Sequence, residues 1–135
     1  MTFLFILQGC RTDNIDKVIR TYRLVNGTNR EVKIDIYERG IFWVSVDKKG
    51  NGVVYEGQSS NDAGSAISAS GALIGDSIIV SYDNERSQTY YFDETINSIP
   101  DSDRNIFIDD HYEVISERLY EFTFTESDYE DAKEI

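Results

Sequence analysis

The chain has 135 residues, 25 acidic and 13 basic, with a net charge of −12. That length suits one domain with its own core, and a second is not expected. The negative field repels a phosphate backbone and supplies no basic patch for an anionic surface, so nucleic acid is not an expected partner. Nine Tyr, seven Phe and many β-branched residues predict a folded chain rather than a disordered one. One cysteine permits no disulfide within a chain, so the core must hold the fold unaided. No stretch reaches the roughly 20 apolar residues of a membrane-crossing helix.

The run from Phe3 to Leu7 is apolar and stops at Gln8-Gly9-Cys10. Leu7-Gln8-Gly9-Cys10 resembles a bacterial lipoprotein box, with an aliphatic residue first and a small one directly before the cysteine. The resemblance implies that residues 1–9 are the remnant of a signal peptide. It also implies that the Cys10 thiol is the lipid attachment site, carrying palmitate-type acyl chains. Several acyl chains anchor stably where one holds only marginally. No Lys or Arg precedes Cys10, so the basic start of the signal is expected upstream of Met1. The alternative is a hydrophobic N-terminal strand with a buried free cysteine. Residues 10–16 are polar and read as a tether, and residues 17–135 as a single β domain.

Lys17 to Val25 predicts a first strand, ending at Asn26-Gly27, a dipeptide favoured in hairpin turns. Val32, Ile34 and Ile36 then alternate with Lys33, Asp35 and Tyr37, the pattern of a strand buried on one face and wet on the other. Ile41 to Val46 follows Gly40 as a strand, and Val53 to Glu56 returns after a turn. Residues 57–75, rich in Gly, Ser and Ala, predict a long loop with a short edge strand near Ala66 to Ser70. Ser77 to Tyr82 and Gln88 to Phe92 predict a hairpin, and Asn105 to Ile108 a short strand. Tyr112 to Thr125 reads as one bulged strand, or two joined at Ser116-Glu117-Arg118. Thr125 is placed to cap a C-terminal helix, with Asp128 closing a capping box and Phe124 and Tyr129 at staple positions. About seven short strands predict a mainly β fold, an antiparallel β-sandwich or open barrel with a short C-terminal helix.

Three stretches carry a second resemblance. They are Arg20 to Asn29 with the strand after it, Asp76 to Asp83, and the pattern Phe124-Thr-x-x-Asp128-Tyr-x-x-Ala132. In this order they look like the small β-rich lipoproteins of Bacteroidota. That resemblance implies a fold and a lipid-anchored place in the outer membrane, and it brings no active site with it.

The chemistry is sparse. His111 is the one histidine and follows Asp109-Asp110; beside carboxylates it is a candidate general base, and on base rates a loop histidine. One His and one Cys rule out the usual zinc arrangements, so no metal and no cofactor is expected. Tyr37, Trp43, Tyr90 and Tyr91 are the candidate ligand-stacking aromatics. Tyr90 and Tyr91 are adjacent on a strand and point to opposite faces, so Tyr37, Trp43 and one of the pair can form a platform for a sugar or peptide. The plainer alternative puts Trp43 in the core with the tyrosines half-buried. Ser77, in Asp76-Ser77-Ile78, matches a three-residue O-glycosylation motif of Bacteroidota, and Asn26-Gly27-Thr28 has the form of an N-glycan acceptor. The reading that results is a monomeric, non-catalytic binding module of the bacterial envelope, meeting a glycan or an envelope protein. Its alternatives are an inhibitor or immunity-type lipoprotein that blocks a basic enzyme, and a hydrolase built around His111.

Overall fold

A computed structural model of the chain describes residues 17–62, 65–93 and 104–135. Cys10, the signal remnant and the tether lie outside the described residues. The strands are β1 (Ile19–Asn26), β2 (Glu31–Glu38), β3 (Ile41–Lys49), β4 (Gly52–Ser60), β5 (Ser77–Tyr82), β6 (Arg86–Tyr91), β7 (Glu113–Ser116), β8 (Leu119–Phe124) and β9 (Lys133–Glu134). Helices α1 (Ala69–Leu73) and α2 (Glu126–Asp131) are short. The strands form two sheets, ordered β4-β1-β8-β7 and β3-β2-β5-β6-β9. The fold is a mainly β sandwich and not a closed barrel.

The alternation read from the sequence builds the core. Val32, Ile34 and Ile36 of β2 are fully buried, and so are Ile78 and Val80 of the neighbouring β5. Tyr22 and Leu24 of β1 and Phe122 and Phe124 of β8 face them from the other sheet. Burying one such side chain contributes roughly 1.5–3 kcal/mol. The strands pair antiparallel except β1 with β8, which run parallel.

Several local expectations give way to the tertiary structure. Asn26-Gly27 does not turn a hairpin, because β1 and β2 belong to different sheets. Asn26 is wholly buried at an inter-sheet corner. Its side chain donates to the carbonyls of Arg30 (2.7 Å) and Lys48 (3.1 Å) and accepts from Thr28 N–H (2.9 Å) and hydroxyl (2.7 Å). Gly27 is there for closeness: a Cβ on it would lie 2.6 Å from Thr123 Cγ2 and 3.0 Å from the Phe124 carbonyl oxygen. The Gly/Ser/Ala-rich stretch after Glu56 is not all loop. β4 continues to Ser60, and Ser68 caps α1 in place of the expected edge strand. Asn105 to Ile108 forms a turn, not a strand. Of the two forms expected for Tyr112 to Thr125 the second is found, two strands joined at Glu117-Arg118, and the unexpected β9 pairs with β6.

The capping box forms as the sequence predicts. The Thr125 hydroxyl accepts from Asp128 N–H, and the Asp128 carboxylate accepts from Thr125 N–H at 2.8 Å. Ala132 is buried, and Phe124 and Tyr129 both set their rings edge-on to Tyr82.

The sandwich has two ends. At the upper pole lie the β1–β2 corner, the β3–β4 and β5–β6 turns, α2 and β9. At the lower pole lie the start of β1, the β2–β3 turn, the end of β4, α1, the start of β5, the end of β6 and the β7–β8 turn.

Candidate functional site

The lower pole is shaped by one tight turn and one extra residue. Arg39 and Gly40 have φ of 53° and 80°, the left-handed pair of a two-residue hairpin turn between paired Glu38 and Ile41. Tyr37 pairs with Phe42, whereas Ile36 pairs with Val44. Trp43 is therefore the extra residue of a β-bulge, and the in-out alternation of β3 breaks at that point. Ile41, Phe42 and Trp43 stand 70, 54 and 61% exposed in succession. β3 is also the edge of its sheet.

Around the bulge the outer face continues in aromatic rings. Tyr37 sets its ring edge-on to Phe42 at 5.7 Å. Tyr37 pairs across β2 and β5 with Ser77, and Ser77 pairs with Tyr91. Asp76 ties these segments together. Its N–H donates to the Tyr37 carbonyl (3.0 Å), its own carbonyl accepts from Phe92 N–H (2.9 Å), and its carboxylate accepts from Arg39 N–H (3.1 Å). Two shallow depressions of about 400 Å³ each share Asp76 and Phe92. Phe92 is 56% exposed and meets Phe107 edge-on at 6.1 Å.

Ile74 is the anomaly of this surface. It ends α1 with φ 69°, a left-handed conformation that disfavours a β-branched residue. It is also 56% exposed, so core packing does not account for the choice. Gly75 next to it is pressed onto β2, where a Cβ would come 2.6 Å from the Tyr37 carbonyl oxygen.

Of the candidate stacking residues, Tyr37, Trp43 and Tyr91 lie on the outside of this pole and Tyr90 on the inside. Tyr90 points inward, is 2% exposed, and belongs to the core row with Ile78. Burial pushes its hydroxyl pKa up. Ser77 is half-buried on the outer face, between the Tyr37 and Tyr91 positions. Asn26 has its amide enclosed and spent on four hydrogen bonds, so its N-glycan form is accidental.

His111 is elsewhere, in the 3-10 turn Asp109–His111. Its Nδ1 accepts from Asn105 N–H at 2.9 Å, which holds the turn. It lines a depression of about 380 Å³ with Arg104, Glu113 and Glu121, and Arg104 is bound to Asp128 at 2.6 Å. Asp109 has a structural task. It accepts from the Tyr22 hydroxyl (2.6 Å) and from Ala69 N–H (2.8 Å), joining β1 to α1. Burial and this carboxylate push the Tyr22 hydroxyl up to about 12. Among the described residues no group of three or more His, Cys, Asp or Glu is gathered to hold a metal. No helix among them is long and apolar enough to cross a membrane.

Ile41, Phe42, Ile74 and Phe92 escape a reading of the sequence alone. One signal is available for the first two: three apolar residues in a row, Ile41-Phe42-Trp43, cannot all face the core from a regular strand. Ile74 and Phe92 carry none, because each takes its exposure from tertiary geometry. Comparison of the chain with protein-family models, curated proteins and solved structures gave no match.

Proposed function

We propose that this protein is a lipid-anchored, non-catalytic binding module of the bacterial envelope, held in the outer membrane through Cys10, with the aromatic lower pole as its contact surface. The observation that carries the reading is Trp43, the chain's one tryptophan, exposed between Phe42 and the β3 edge instead of buried. Contiguous exposed apolar side chains mark interaction surfaces. A hydrolase around His111 has less support, because that ring is engaged by the main chain and Asp109 is spent on Tyr22 and Ala69. The anchor rests on the lipoprotein box at Leu7 to Cys10.

Intact mass of the protein purified from its native membrane tests the anchor. The expected species begins at Cys10 and carries acyl chains. A chain that retains unmodified residues before Cys10 contradicts the reading.

A further inference from the structure

We infer that the lower pole rests on the membrane itself, with Trp43, Phe42, Ile74 and Phe92 entering the boundary between lipid headgroups and acyl chains. This deepens the reading above and depends on its anchor at Cys10.

The tether is short. β1 begins at Ile19, so the chain enters the domain at the lower pole. Only seven residue steps separate Cys10 from Lys17, at most about 25 Å of fully extended chain. A domain tied so closely presents its pole of entry to the anchor.

Exposed apolar surface lies at the same pole. Among the described residues, Ile19, Ile41, Phe42, Trp43, Ile74 and Phe92 are the exposed large hydrophobics of this pole, and exposed Val114 and Ile115 lie on β7, which ends there. Aliphatic and aromatic side chains are mixed. Isoleucine has no ring face to offer a sugar, but it partitions into lipid as readily as an aromatic does. Trp and Tyr favour the headgroup level of a bilayer, and interfacial apolar groups enter it by roughly 5–10 Å.

At the lower pole Lys17 is paired with Asp62 at 3.1 Å, and Arg20 with Asp109 at 3.6 Å. The acidic helix α2, with Glu126, Asp128, Glu130 and Asp131, is at the opposite pole, away from phosphate headgroups. Acidic Glu38, Asp76, Asp93 and Glu117 also lie at the lower pole, so insertion of apolar side chains, and not attraction of charge, carries the contact. Ile74 adds an independent indication. A β-branched residue held at φ 69° and left in water is strained for no gain in the free domain. It gains burial if lipid covers it.

Because Trp43 is the one tryptophan, its fluorescence reports this pole alone. The acylated full chain is reconstituted in phosphatidylcholine vesicles, and its emission and quenching are compared with the chain in detergent-free buffer as Cys10→Ser. On vesicles Trp43 emission is expected to shift to the blue, to be quenched by lipids brominated near the headgroup, and to lose accessibility to aqueous iodide. In acylated Ile74→Asn, which keeps the left-handed turn but removes the apolar side chain, quenching by brominated lipid should fall and iodide access should return. If intact mass confirms acyl chains on Cys10 while Trp43 stays as open to iodide as in Cys10→Ser, the pole does not touch lipid and the inference fails with the anchor intact. It fails in the same way if Trp43 is shielded only by an added envelope glycan or protein, or by self-association of the Cys10→Ser chain. Absence of acyl chains on Cys10 overturns the anchor and this inference together.

Discussion

Asn26 at the upper pole is wholly enclosed and makes four hydrogen bonds, while Trp43 at the lower pole, a far larger apolar group, faces water. The contrast extends to their surroundings. At the upper pole Arg30 bonds Asp83 (2.9 Å) and Glu126 (3.0 Å) and lies 3.5 Å over the Tyr129 ring, joining the corner, the β5–β6 turn and α2. The lower pole has a strained Ile74, a bulge at Trp43 and the edge strand β3. One end of the sandwich is built to be stable. The other departs from what stability alone would select, and such departures collect where a protein does its work.

The interior that both poles share sets the scale on which they are compared. Burial pushes the hydroxyls of Tyr82, Tyr90 and Tyr112 upward, and that of Tyr22 to about 12. Below pH 10 these groups are neutral in folded and unfolded chains alike, so their contribution is intact there. As pH rises past 10 the unfolded tyrosines ionise while the folded ones stay neutral, and stability falls. By about pH 11 the loss is on the order of 1 kcal/mol for each buried tyrosine, and several kcal/mol together. Urea unfolding followed from pH 8 to 11 should show this steep decline, with both poles lost in one transition. A midpoint that stays level through that range would mean the tyrosines are not held in the interior.

Asn26→Ala should give the next largest effect. It strips partners from Thr28 N–H and from the carbonyls of Arg30 and Lys48 in a buried corner, costing about 3 kcal/mol. Ile74→Asn should act in the opposite direction. Asparagine tolerates the left-handed turn, so thermal unfolding should show stability raised by about 1 kcal/mol. Smallest of all, Trp43→Gln should leave stability within about 0.5 kcal/mol, as exposed substitutions do. If Trp43→Gln destabilised the fold as much as Asn26→Ala, the division between the poles would collapse.

The sequence is most informative where structure is local. The Thr125–Asp128 box forms because the residues that satisfy each other are three apart. The alternation of β2 is kept because each residue's neighbours on both sides, β3 and β5, accept the same in-out order. Local rules fail at Asn26-Gly27, since a turn dipeptide is equally suited to a buried corner when a second sheet closes over it. They fail again at α1, where four small residues and Leu73 carry too little hydrophobic pattern to announce a helix. Within the site, Tyr37, Trp43 and Tyr91 are legible as aromatic residues, but their grouping with Ile74 and Phe92 is not. That grouping depends on a one-residue bulge in β3 and on the path of the chain from α1 into β5, and neither is encoded at fixed spacing.

Hydrogen exchange on the chain carrying the proposed acyl anchor at Cys10, with and without phosphatidylcholine vesicles, compares the two poles in one measurement. Peptides covering residues 39–43, 72–76 and 91–93 should gain protection on vesicles, while those covering residues 83–86 and 125–135 should exchange at the same rate in both states. Protection appearing at α2 and the β5–β6 turn instead, with the bulge at Trp43 unchanged, would contradict the assignment of the lower pole as the working surface.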